Sequence, residues 1–183
     1  MVDLMALEKQ FLSAHIKENT VAIDFTMGNG HDTLFLSKAI GENGRLYAFD
    51  IQDQALENTA KLLEESDCHN NYTLIKASHS LVKNYVKEKF DVGVFNLGYL
   101  PGGDKRITTL RETTLVAVES ALELLNDDGI ILIAVYPGHA EGEIEGKLLT
   151  ELLSKLERKK ICVSRFTIIN SPTSPYFFAV EKK

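Results

Sequence analysis

Apolar positions along this chain recur with two alternating periods, and the alternation lays out a succession of strands and helices. Leu4, Leu7, Phe11 and Ala14 fall at helical spacing and predict an opening helix. Val21 to Phe25 is a short apolar run that reads as a buried strand, followed by the turn Thr26-Met27-Gly28-Asn29-Gly30. A helix is predicted from about Asp32 to Ile40, closed by Gly41, the residue type favoured just past a helix end. Arg45 to Asp50 reads as a second strand. Asp53 to Glu65 reads as a helix with Leu56, Ala60 and Leu63 on one face.

Tyr72 to Lys76 predicts a third strand, Ser80 to Val86 a short helix, and Phe90 to Leu97 a fourth strand. The glycine-rich loop Gly98 to Lys105 leads to a long helix near Thr109 to Leu125, where Thr109 and Glu112 have capping-box spacing. Asn126-Asp127-Asp128-Gly129 reads as a turn. Ile130 to Val135 is the most continuous apolar run, so a central strand covered on both faces is predicted there. A helix around Glu143 to Leu156 and two strands, Ile161 to Ile169 and Tyr176 to Val180, complete the pattern. Strands alternating with helices predict a mostly parallel, doubly wound α/β sheet, and the closing strand–loop–strand unit predicts an antiparallel last strand. In such sheets ligands bind along the edge where the loops leave the strands.

Composition narrows the class without choosing the chemistry. With 183 residues, 44% of them hydrophobic, the chain suits one domain, residues 1–183, with a core that needs no staples. No apolar run reaches membrane-spanning length, and Met1-Val2-Asp3-Leu4 lacks the basic and apolar regions of a secretory signal, so a cytoplasmic location is expected. Cys68 and Cys162 have no partners at ligand spacing, so neither a disulfide framework nor a metal site is expected. The formal charge of −6 disfavours indiscriminate nucleic-acid coating but leaves room for a specific RNA held by a local basic patch.

The sharpest local signal is Asp24-Phe25-Thr26-Met27-Gly28-Asn29-Gly30-His31-Asp32, at the first strand–helix junction. Gly28 and Gly30 allow a ligand to approach the backbone closely. A dinucleotide fingerprint would place its third glycine where Thr33 stands, and a strand-end carboxylate such as Asp24 repels pyrophosphate, so a nicotinamide enzyme is disfavoured. Asp24 suits instead the cationic amino group of S-adenosylmethionine. Asp50, ending the second strand, suits its ribose hydroxyls. Thr26, Asn29, Gln52, Ser78, His79 and Asn96 complete the expected cofactor set.

The loop Asn96-Leu97-Gly98-Tyr99-Leu100-Pro101-Gly102-Gly103-Asp104 should face this turn. Asn96 can accept a hydrogen bond from an amine, and Tyr99 offers a face on which a base can stack. His139 is a candidate proton acceptor, with Asp104 and Glu141 as others. Gly98, Tyr99, Pro101, Gly102, Lys105 and Arg106 form the expected acceptor-binding set, the last two as phosphate contacts. By the residues alone, a ribosomal RNA or a small-molecule amine stays open as the acceptor, as does a non-catalytic interaction protein.

The segments DFTMGNGHDTLFL, FNLGYLPGGDK, VYPGHAEG and NSPTSPYF together resemble the bacterial MnmM (YtqB-like) family, long labelled rRNA methylases. The resemblance spans essentially the whole chain. It implies a Rossmann-like class I methyltransferase fold with a seven-stranded sheet, and S-adenosyl-L-methionine as cofactor. It further implies methyl transfer to the primary amine of 5-aminomethyl-2-thiouridine at tRNA wobble position 34, giving 5-methylaminomethyl-2-thiouridine. Asn96-Leu97-Gly98-Tyr99 looks like the Asn-Pro-Pro-Tyr tetrad of amino-group methyltransferases with both prolines replaced, which makes Asn96 and Tyr99 expected catalytic residues, with His139 added as the candidate proton acceptor. The expected partner is the anticodon region of tRNA. A homodimer is expected too, because so small a domain offers limited surface to a tRNA.

Overall fold

The computed structural model describes residues 3–104, 106–138 and 140–183; Lys105 and His139 lie outside the described residues. In chain order the elements are α1 (Leu4–His15), β1 (Val21–Asp24), α2 (His31–Ile40), β2 (Arg45–Asp50), α3 (Asp53–Glu65) and β3 (Tyr72–Lys76). After a single 3-10 turn at His79–Leu81 follow α4 (Val82–Tyr85), β4 (Phe90–Asn96), α5 (Arg111–Leu124), β5 (Leu125–Val135), α6 (Ala140–Ser154), β6 (Ile161–Phe166) and β7 (Tyr176–Lys182). The seven strands form one sheet in the order β3-β2-β1-β4-β5-β7-β6. Pairings from β3 through β5 are parallel, and β7 runs antiparallel to both β5 and β6. The last strand is therefore the single reversed one, as its sequence context predicted.

Period-two alternation along the central strands divides the core into two layers. Ile131, Ile133 and Val135 point to one face with Ile23, Phe95, Phe178 and Val180, and Val82, Ala117, Val118, Ala121, Leu149 and Leu153 of α4, α5 and α6 cover them. Ile130, Leu132 and Ala134 point to the other face with Ala22, Val92 and Val94, under Leu12, Leu36 and Ile40 of α1 and α2. Every residue of β5 from Gly129 to Val135 is buried, which is why that run reads as continuously apolar.

Two local expectations are corrected. The Asn126–Gly129 segment does not separate α5 from a strand starting at Ile130, because β5 already begins at Leu125. Leu125 is fully buried and pairs with Phe90, and the ladder then shifts so that Val92 meets Ile130. The turn-forming residues make an irregularity inside the strand, with Asp128 at φ +61°. The capping box also fails: Leu110 holds the N-cap of α5 with no side-chain cap, and the Thr109 hydroxyl is engaged elsewhere.

The chain leaves β1 toward β2 on one side and β4 toward β5 on the other. The crevice between the ends of β1 and β4 is thus the topological switch point, where open α/β sheets hold ligands.

Candidate active site

Two carboxylates and one amide end the strands at this crevice: Asp24 on β1, Asp50 on β2 and Asn96 on β4. The turn after β1 runs close to both neighbours. Phe25 N–H donates to the Val94 carbonyl at 2.9 Å and Met27 N–H to the Phe49 carbonyl at 2.9 Å. Asp50 then clamps the turn, since one carboxylate oxygen accepts from Gly28 N–H at 3.1 Å and the other from Gln52 N–H at 3.0 Å. Gly30 caps α2 at φ +84°, and a Cβ there would stand 2.8 Å from the Thr59 hydroxyl, so both backbone angle and packing require glycine.

Asp24 is 1% exposed. Its carboxylate accepts from the Thr33 hydroxyl at 2.6 Å and from Thr26 N–H at 3.1 Å. The residue standing where a dinucleotide fold needs its third glycine is therefore the partner of the strand-end acid. Burial, with the nearby charge of Asp32, pushes Asp24 up to about 7, against the pull of those two hydrogen bonds.

A second acidic group lies beside it. Asp32, in the first turn of α2, accepts a short hydrogen bond from the Asn96 side-chain amide nitrogen, and Tyr136 donates its hydroxyl proton to the Asn96 amide oxygen at 3.1 Å. The Asn96 backbone N–H donates to the Thr26 hydroxyl at 2.7 Å, tying the end of β4 to the turn after β1. Burial raises the Asp32 carboxyl above its ordinary value. Glu8, reaching in from α1, is pushed up to about 7 by burial and then by the charges of Asp32 and Asp3. Tyr136 is raised as well, by burial and by Glu8 and Asp32. Three carboxyls at one end of the crevice make a corner that favours a cation.

The loop after β4 folds back over the glycine turn. Leu100 is buried with Met27, Ala48 and Ala55, and its side chain lies 3.7 Å from where a Cβ on Gly28 would be. The Asn29 side-chain amide donates to the Pro101 carbonyl at 3.1 Å and is itself held by the Asn58 amide. At the loop's far end the Thr109 hydroxyl accepts from Gly98 N–H and donates to Glu145, a fully buried acid on α6 that also accepts from Thr114 at 2.6 Å. Tyr99 is 40% exposed above this loop. Gly102, at φ +81°, and Pro101 are exposed, and Arg106 pairs with Asp104 at the surface.

Among the other predicted residues, Ser78 caps the 3-10 turn by accepting from Ser80 N–H. His79 is buried, with Nδ1 3.2 Å from the Phe25 carbonyl and Nε2 without a partner, and burial lowers it to about 4. It is therefore neutral at physiological pH. Glu141 accepts from Arg111 N–H at the start of α5 and pairs with the Arg111 guanidinium. Sequence reasoning passed over Asp32, Glu8, Tyr136 and Glu145. Asp32 stood inside the glycine motif and had a signal; the other three reach their partners only through long-range contacts. Among the described residues no helix is long and apolar enough to cross a membrane, and no three His, Cys, Asp or Glu side chains are grouped to hold a metal ion.

Residues 46–182 match the family described as "Putative rRNA methylase". A chloroplastic tRNA (mnm(5)s(2)U34)-methyltransferase of Arabidopsis thaliana is 36% identical over 92% of this chain; the chain spans 65% of that relative's length. A crystal structure of a Clostridium thermocellum protein with the same rRNA-methylase description superposes with a TM-score of 0.96 at 38% identity, covering 100% of this chain and 99% of the other. A Streptococcus mutans methyltransferase-like protein, solved in complex with S-adenosylhomocysteine (SAH), gives 0.90 at 34% identity over 100% and 99% of the two chains.

Proposed function

This chain belongs to the "Putative rRNA methylase" family of S-adenosylmethionine-dependent methyltransferases, and from that premise we propose that it methylates the primary amine of 5-aminomethyl-2-thiouridine at tRNA position 34. The product is 5-methylaminomethyl-2-thiouridine. The protein acts as one domain in the cytoplasm, on the anticodon region, as a homodimer.

The crevice fits the donor. Gly28 and Gly30 leave the turn open to close approach, and Asp50 offers carboxylate oxygens at the ribose position. Ile51, 54% exposed beside it, presents an apolar face for adenine together with Ser78. The corner of Asp24, Asp32 and Glu8 suits the donor's ammonium and sulfonium charges. When bound, the cofactor supplies a methyl group on a sulfonium that leaves as a neutral thioether. The chain's own residues then need only align a deprotonated amine and exclude water.

The observation that carries the acceptor reading is Asn96, whose amide oxygen lies at the switch point beside the acidic corner. Tyr99 supplies an exposed ring for stacking on the nucleobase, and Arg106 is available to phosphate because exposed ion pairs such as its pair with Asp104 are weak. The tRNA relative in Arabidopsis supports the same acceptor. The family description favours ribosomal RNA as the second reading. One experiment separates them: nucleoside mass spectrometry of tRNA and ribosomal RNA from a strain lacking the gene, each incubated with the purified protein and S-adenosylmethionine. A gain of one CH2 on 5-aminomethyl-2-thiouridine is the expected result. Methylation of ribosomal RNA alone would replace the acceptor.

A further inference from the structure

An asparagine amide is a hydrogen-bond acceptor at one end and a donor at the other, and the two ends have nearly the same shape. Asn96 can receive an amine N–H only if its oxygen, not its nitrogen, faces the acceptor. Its surroundings decide this. The Asp32 carboxylate lies on one side, and an ionised carboxylate can only accept. The amide nitrogen must therefore turn to Asp32, as it does. The oxygen turns the opposite way, and the Tyr136 hydroxyl, able to donate or accept, must donate to it. One lone pair of the oxygen remains for the acceptor.

We infer that Asp32 is a positioning residue: by fixing the orientation of the Asn96 amide it makes the site select an acceptor that donates an N–H and reject one that presents only a lone pair. This rests on the amine-methylating reading above and extends it from Asn96 to the residue that orients it.

The groups facing Asp32 are Glu8 and Lys9 from α1, Asp24 from β1, Asn96 from β4, Tyr136 from the segment after β5, and His31 on its own helix. Lys9, His31 and the Asn96 hydrogen bond favour the ionised form, while burial opposes it and holds the carboxyl above its ordinary value. A protonated Asp32 can donate to the amide oxygen, so the orientation is fixed above the Asp32 pKa and released as pH falls through it.

Two readouts test this. The first is the Asn96 side-chain NH2 resonance of the 15N-labelled protein saturated with SAH, assigned by its absence in Asn96→Ala. In the unsubstituted protein one proton should be shifted strongly downfield while Asp32 is ionised and lose that shift as the pH is lowered through the raised Asp32 pKa. In Asp32→Asn the resonance should be pH-independent. The second readout is single-turnover methyl transfer to tRNA. With S-adenosylmethionine saturating, Asp32→Asn should be slower by roughly 10- to 100-fold, the scale found where outer partners orient a functional group. Asp32→Glu, which keeps an acceptor-only group, should recover part of the rate. An Asn96 resonance identical in both proteins, or transfer by Asp32→Asn at the unsubstituted rate, overturns the inference. If the unsubstituted protein transfers no methyl to tRNA, the acceptor reading fails, and the resonance alone still decides whether Asp32 orients Asn96.

Discussion

Replacing Asp24 by asparagine should stabilise the cofactor-free protein at alkaline pH while weakening its hold on the cofactor. The unfolded chain ionises this carboxyl near its ordinary 3.8, whereas the folded chain ionises it near about 7, because burial and then the charge of Asp32 disfavour the anion. Between those values the folded state binds the extra proton. Stability is therefore greatest below the unfolded value, falls as pH rises through the window, and is lowest above about 7. A difference of about 3 units at ~1.4 kcal/mol each sets a ceiling of about 4 kcal/mol on the cost of the folded anion. Asparagine keeps both contacts, since its oxygen can accept from Thr26 N–H and its nitrogen can donate to the Thr33 hydroxyl. Urea unfolding at about pH 5 and about pH 8 measures the effect. Asp24→Asn should exceed the unsubstituted protein by roughly 2–4 kcal/mol at the higher pH and by less, roughly 1–2 kcal/mol, at the lower. Glu8 and Asp32, both also raised, remain in both proteins, and the repulsion between Asp24 and Asp32 is part of the difference the comparison measures. Parallel pH profiles, or a variant less stable at about pH 8, would refute the reasoning. The compensating loss should be in cofactor binding, because a charge kept at such a cost fits a site that needs it for a cationic ligand.

Three further outcomes follow from the geometry. Asp50→Ala removes the clamp on Gly28 and Gln52, so SAH affinity measured by calorimetry should fall about 10- to 100-fold with RNA binding intact; unchanged affinity would refute the assignment. Thr109→Val cuts the link from Gly98 N–H to buried Glu145, so the KM for tRNA should rise while SAH affinity holds, and an unaltered KM would show that the loop is held without it. Gly146→Ala sets a Cβ 2.2 Å from the Tyr176 hydroxyl and 3.1 Å from a Val135 methyl, which should cost about 1–3 kcal/mol in urea unfolding. Tyr176→Phe in the same chain should restore part of that loss, and full stability of the single variant would contradict the packing.

The parts of this molecule that sequence revealed are those in which local pattern and tertiary demand coincide. Arg45–Asp50, Asp53–Glu65 and Tyr72–Lys76 match their predicted bounds because each is amphipathic or apolar at its own period and ends on a polar or turn residue. The Asn126–Gly129 segment shows where the two part. Its residues carry every turn signal, yet Leu125 before them and Ile130 after them are both fully buried, so the ladder runs through and absorbs the turn as an irregularity. The same division runs through the active site. Glycines at positive φ write themselves into a short motif, and so the turn after β1 was legible. The orientation of Asn96 was not, because it depends on Asp32, separated by 64 residues, and on Tyr136, separated by 40. An acceptor motif names the side chain that meets the substrate. Which end of that side chain is presented belongs to its neighbours, and here those neighbours come from α2 and from the loop after β5. Both prolines of the Asn-Pro-Pro-Tyr pattern are replaced here, and the loop is held instead by Thr109, Glu145 and the Asn29–Pro101 contact. The rigidity a proline pair would impose through the backbone is supplied by side chains spread across the fold.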